Sequence, residues 1–84
     1  MAVSKRIIII GASSGLGKAI TTQFAQMGWT IGIAARRTEA LEELRKQYPQ
    51  SIIATEQIDV TAPDAGNKLL SLIEKTGGID TLLL

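Results

Sequence analysis

The stretch IIIIGASSGLG, Ile7 to Gly17, decides how this chain is read. β-Branched residues run straight into glycines at Gly11, Gly15 and Gly17, the spacing G-x-x-x-G-x-G. Upstream, Val3 to Ile10 reads as a strand that is apolar at every central position. That continuous pattern belongs to a parallel strand buried on both faces. Downstream, from Gly15 to about Met27, apolar residues fall at Leu16, Ala19, Ile20, Phe24 and Met27, a helical stripe stopped by Gly28. The glycines therefore join a strand to a helix. Either they only build that turn, or they leave room for something to sit in it.

The same alternation continues outward. Trp29 to Ala35 is a second apolar run rich in β-formers. Thr38 is the expected N-cap of a helix reaching about Tyr48, with Glu39, Glu42 and Glu43 early and Arg45 and Lys46 late, the order that complements the helix dipole. Pro49 ends it, and Ser51 to Ile58 gives a third strand. Thr61, with Pro63 and Asp64 behind it, predicts a capped start for a third helix. Leu69, Leu70, Leu72 and Ile73 are its expected buried side, and Gly77-Gly78 stops it. Ile79 to Leu84 begins a fourth strand.

The order β-α-β-α-β-α-β with short connections implies an α/β domain with a parallel sheet. Right-handed crossovers place strands two and three to one side of strand one, and a third helix on the other face returns strand four beside strand one. The expected sheet order is 3-2-1-4, with helices on both faces. The order reverses between strands one and four, and ligands of such sheets bind in the crevice at the carboxyl ends there. GASSGLG lies at that crevice.

Composition narrows the function. The chain has 84 residues, enough for one small domain, residues 1–84, that hides roughly 60–65% of its unfolded surface. Phe24, Trp29 and Tyr48 are its only aromatic residues, so its core is aliphatic. A net charge of +1, mixed along the chain, leaves no electrostatic footprint for nucleic acid or an anionic membrane. With neither Cys nor His, disulfides, zinc-site spacing and a His-based triad are excluded. The apolar run near the N-terminus is too short for a signal or a membrane span. A cytoplasmic, soluble protein is expected.

At a helix N-terminus, phosphate oxygens meet free backbone N–H groups and the positive end of the dipole. Glycines keep side chains out of the way. Gly11 would allow the tight exit from the strand, Gly15 the approach of the ligand, and Gly17 the close packing of helix on sheet. Ser13 and Ser14 offer short hydroxyl donors. A P-loop is excluded, because Ala12 stands where its first glycine belongs and Ala19 where its magnesium-binding hydroxyl belongs. The tighter G-x-G-x-x-G fingerprint is excluded by Ser13.

Gly11-Ala12-Ser13-Ser14-Gly15-Leu16-Gly17, placed after the first strand, resembles the cofactor loop of the short-chain dehydrogenase/reductase family. AARRTEALEEL (Ala34 to Leu44) and IDVT (Ile58 to Thr61) add two further anchors, and the resemblance covers essentially the whole chain. It implies a Rossmann-like fold of which this chain is the N-terminal cofactor-binding half. Ile10 stands where many relatives have Thr, and Leu16 where Ile is common.

The second anchor selects a cofactor. A free ribose is usually held by a carboxylate at the end of strand two, whereas a 2′-phosphate repels that carboxylate and is met by arginine. Here Ala35 is followed by Arg36 and Arg37, suited to charge-assisted bonds to phosphate. Similarity to NADP-preferring members points the same way, to NADP(H), and implies that Ser13 helps hold the ribose-phosphate end. A solvated arginine pair at a loop start is the alternative. At the third anchor the resemblance implies that Asp59 accepts from the adenine amino group while the backbone of Val60 meets the ring. An Asx-type turn is the other reading.

The candidate cofactor-binding set is thus Gly11, Ser13, Ser14, Gly15, Leu16, Gly17, Arg36, Arg37, Asp59 and Val60, with no catalytic and no metal-ligating residue. The resemblance implies an NADP-dependent oxidoreductase moving hydride to or from a carbonyl or alcohol. The Asn-Ala-Gly segment, the Ser and the Tyr-x-x-x-Lys pair of that chemistry are absent, since four residues after Tyr48 stands Ile52. The chain is therefore expected to be a fragment, inactive alone, that self-associates through the apolar edge of strand four, Leu82 to Leu84. A non-catalytic dinucleotide-binding module, regulatory or for assembly, is the rival, distinguished by whether Tyr-x-x-x-Lys follows Leu84.

Overall fold

The computed structural model describes residues 5–83. The elements are β1 (Arg6–Ile10), α1 (Gly15–Gln26), β2 (Thr30–Ala35), α2 (Thr38–Gln47), β3 (Ile52–Gln57), α3 (Ala65–Thr76) and β4 (Thr81–Leu83). They build one parallel sheet of order β3-β2-β1-β4, the order expected from the crossovers. Val3 and Leu84, expected at the outer ends of the first and fourth strands, lie outside the described residues.

The aliphatic runs go where their continuity requires. Ile7, Ile8 and Ile9 of β1, and Ile31 and Ile33 of β2, are at most 1% exposed. Alternate residues feed two cores. Ile7, Ile9, Ile31 and Ile33 join Leu41 and Leu44 of α2 and Ala25 of α1 on one face, while Ile8, Ala34, Ala54 and Leu72 of α3 pack on the other. Helices cover both faces.

The helix faces differ in part from expectation. In α1 the buried residues are Gly17, Thr21 and Ala25, spaced by four, while Leu16 and Met27 are 74% and 60% exposed. Small side chains let the helix lie close to β1, and the larger Ile20 and Phe24 flank the contact half-buried. In α3 Leu72 is buried and Leu69 and Ile73 pack against it, but Leu70 is exposed. Helix starts shift as well. Thr38 is the first helical residue of α2, with Arg37 at the cap and no side-chain cap bond. Thr61 does not cap α3, which begins at Ala65 with Asp64 before it. Instead Thr61 turns back onto Asp59.

The two edges are unlike. On the outer side of β2, β3 carries a bulge: Ile31 pairs with Ile52 and Gly32 with Ala54, so Ile53 is skipped and half turned to solvent. Beyond β1, β4 is a short edge strand with Leu82 exposed and Leu83 packed against a core. Among the described residues no helix is long and apolar enough to cross a membrane.

Candidate functional site

The carboxyl ends of β1, β2 and β3 each turn toward a helix, and the three turns meet in one cleft of about 670 Å³. The first turn is closed by its own hydrogen bonds. Gly11 takes φ +84°, a left-handed value that a side chain would strain. The N–H groups of Gly11 and Ala12 both donate to the carbonyl of Ala34, at 2.8 and 3.1 Å, which hooks the loop over the end of β2. The Ser14 hydroxyl donates to the Gly11 carbonyl and accepts from the Gly17 N–H, both at 3.0 Å. Ser14 is thereby the N-cap of α1, with its hydroxyl hydrogen committed to the turn.

Gly17 is buried, and a Cβ there would meet the Gly11 carbonyl oxygen and lie 2.9 Å from the Ala12 Cα. Gly15 faces open space, with nothing within 4 Å of where its Cβ would stand. Among the described residues the N–H groups of Ser13, Gly15 and Leu16 have no backbone or side-chain acceptor. Those of Gly15 and Leu16 are the orphan donors of the helix start, at its positive end, and that of Ser13 lies just before the cap. The loop therefore has both properties a phosphate cradle needs, free donors and vacant space above them.

The second turn follows Ala35, the last residue of β2. Arg36 and Arg37 are exposed, and among the described residues no carboxylate comes within salt-bridge distance of either. The β2–β3 ladder reaches the Ala35 carbonyl, which accepts from the Ile58 N–H at 3.0 Å. The next carbonyl, that of Arg36, accepts from the Gln57 side-chain amide at 3.0 Å.

In the third turn Asp59 Oδ1 accepts from the Thr61 hydroxyl at 2.6 Å and from the Thr61 N–H at 2.9 Å. This is an Asx-type turn. Those two bonds, the hydroxyl first, hold the Asp59 carboxyl below its ordinary range, with a smaller pull from the nearby Arg36 guanidinium. Asp59 is thus a fixed acceptor at neutral pH.

The cleft brings together Gly11, Ser13, Ser14, Arg36, Arg37, Asp59 and Val60 of the expected set. Gly17 lies beneath the loop, and Gly15 and Leu16 stand at the start of α1 without lining the cleft wall. Ile10, Ala35, Ile58 and Thr61 complete the lining and were not anticipated. Three of them end or follow a strand at the carboxyl edge, a signal available from the strand boundaries alone. Thr61 forms the Asx-type turn offered as the other reading of Asp59, but not the helix cap expected of it. A smaller recess of about 300 Å³ adjoins the cleft and shares Arg36 and Asp59 with it, adding Gln57 and Lys68. Among the described residues no group of acidic side chains is arranged to hold a metal ion.

Known proteins share this arrangement. The chain is 36% identical, over 95% of its length, to an uncharacterised oxidoreductase of Mycobacterium tuberculosis, of which it covers 34%. A crystal structure of a short chain dehydrogenase from Bacillus anthracis superposes with a TM-score of 0.79 at 41% identity, over 93% of this chain and 34% of that one. An alcohol dehydrogenase from the archaeon Thermococcus sibiricus, complexed with 5-hydroxy-NADP, gives a TM-score of 0.85 at 25% identity, over 95% of this chain and 36% of that one. Among solved structures of this fold both NADP-type and NADH complexes occur. The chain thus spans about a third of the length of the curated relatives it matches. The family model for short chain dehydrogenases matches residues 5–84, nearly the whole sequence, and with these relatives it shows that the chain belongs to the short-chain dehydrogenase family.

Proposed function

We propose that this chain forms the adenosine- and diphosphate-binding part of an NADP(H)-dependent oxidoreductase. Its whole protein would move a hydride to or from a carbonyl or alcohol. One observation carries the reading: a single cleft is lined both by the glycine turn that leads into α1, with the free N–H of Ser13, and by two arginines that among the described residues have no ion-pair partner.

When bound, a nicotinamide dinucleotide supplies or accepts the hydride. The residues of this chain bind and orient it. The N–H groups of Gly15 and Leu16 meet the diphosphate over the side-chain-free surface of Gly11 and Gly15, and Ser14 holds the loop in shape beneath. The hydroxyl of Ser13 and the guanidiniums of Arg36 and Arg37 take the 2′-phosphate. Among the described residues no carboxylate lies within salt-bridge distance of either arginine. Asp59, kept ionised by Thr61, would accept from the adenine amino group, and the Val60 backbone would meet the ring. Gly17 serves from below, by letting α1 lie close to the loop. Tyr48 is half-buried against the α1–α2 core, away from the cleft, and takes no part in this binding.

Isothermal titration of the full-length protein with NADPH and NADH tests this. NADPH is expected to bind more tightly by about tenfold or more, as charge-assisted bonds to phosphate imply. Changing Arg36→Ala and Arg37→Ala together should weaken NADPH by about thirtyfold and leave NADH within about twofold. Tighter binding of NADH by the unmodified protein would overturn the cofactor assignment. Binding of neither would end the dinucleotide reading.

A further inference from the structure

We propose that Gln57 is the positioning residue for the arginine pair, and that its side-chain amide sets the preference for a 2′-phosphate. The inference rests on the cofactor reading above and adds to it a residue that touches no ligand.

The argument starts from how the second turn is held. Ala35 and Gln57 are paired in the β2–β3 register, and the last backbone rung runs from the Ile58 N–H to the Ala35 carbonyl. Beyond it, among the described residues, no backbone donor reaches the carbonyl of Arg36. Gln57 Nε2 supplies that bond at 3.0 Å, so a side chain extends the ladder by one rung. The other usual fastenings are missing. The N-terminus of α2 has no side-chain cap, and among the described residues neither arginine is tied to a carboxylate.

The Gln57 bond is thus the one side-chain hydrogen bond to this turn among the described residues. It fixes the plane of the peptide linking Arg36 to Arg37. Both Cα–Cβ directions depend on that plane, so a rotation of it carries both guanidiniums away from one phosphate. Long side chains that must be ordered on binding lose rotamer freedom, and a fixed starting point reduces that loss. The side-chain type matters. Leu has no donor, and an ionised Glu of the same shape offers only acceptors, which repel the carbonyl. Gln57 is exposed at the end of its strand, so either replacement leaves the core untouched.

The test uses Gln57→Leu and Gln57→Glu in the full-length protein, at neutral pH. The probes are adenosine 2′,5′-bisphosphate and adenosine 5′-monophosphate, titrated calorimetrically, and NMR order parameters are measured without ligand. In both variants the preference for the bisphosphate should fall by about three- to tenfold, the effect of one lost hydrogen bond. Binding of the monophosphate should stay within about twofold. Order parameters at Arg36 and Arg37 should fall below the rigid-backbone range of about 0.85. An unchanged preference in both variants overturns the inference while leaving the cofactor reading intact, as does equal weakening of both probes. If the unmodified protein shows no preference for the bisphosphate, the cofactor reading has failed and the role of Gln57 falls with it.

Discussion

The first and second strand-to-helix turns border the same cleft, and they are held in opposite ways. The first is fixed by its own backbone. Gly11 bends it, the Ser14 hydroxyl bonds at both ends, and Gly17 lets α1 lie on the loop with no gap for a methyl group. The second carries long charged side chains, has no cap, and is fastened by one side-chain amide. The first is therefore specified by steric fit and resists change, whereas the second is free to vary its chemistry. Steric fit and charge are thereby placed on separate turns of one cleft.

Changes to the first turn should break the fold before they touch selectivity. Gly17→Ala is the most severe, because the new methyl meets the backbone of Gly11 and Ala12, which cannot swing away as a side chain could. It should cost about 3 kcal/mol, the upper end for overpacking, read from the urea midpoint. A variant as stable as the parent would show that α1 has room to shift. Ser14→Ala removes the cap and should cost about 1 kcal/mol by the same measurement. The double change Arg36→Ala and Arg37→Ala, at the pair proposed to set selectivity, should move stability by no more than about 0.5 kcal/mol, as surface substitutions do. A larger loss there would erase the distinction between the two turns.

The smallest effect lies in the third turn. Asp59 is held below the ordinary aspartate value of 3.8, so its bonds to Thr61 add stability above that value, and the contribution is lost as pH falls through the lower folded value. A carbon-13 titration of the Asp59 carboxyl should give a midpoint under 3.8, and Thr61→Val should bring it back up. A midpoint that stays put in Thr61→Val would show that Thr61 is not the cause.

Much of this was legible because glycine and proline punctuate the chain and the aliphatic runs are continuous. Ile7 to Ile10 can only be a strand buried on both faces, and the spacing from Gly11 to Gly17 marks the turn. The face of α1 was not legible. Hydrophobic periodicity gives weight to Leu16 and Met27, yet close approach to a sheet favours Gly17, Thr21 and Ala25, which such a pattern scarcely registers. Thr61 was misplaced because Ser, Thr and Asp serve caps and turns by the same hydrogen bond, and sequence does not say which partner wins. Gln57 gave no signal at all. A polar residue at a strand end looks like any other until the neighbouring carbonyl is seen to lack a backbone donor.

One feature of the sheet bears on how the chain is made. The Arg6 N–H donates to the Asp80 carboxylate at 2.8 Å, and the Asp80 N–H returns a bond to the Arg6 carbonyl at 2.9 Å, across 74 positions of sequence. β1 is one of the two inner strands, and β4 is its neighbour on one side. On the ribosome, β1 emerges first and can pair with β2 early, but its other margin stays bare until Asp80 to Leu83 have cleared the exit tunnel. The most apolar strand of the molecule waits longest for its second partner. That interval is when a nascent chain with an open parallel edge most needs a chaperone.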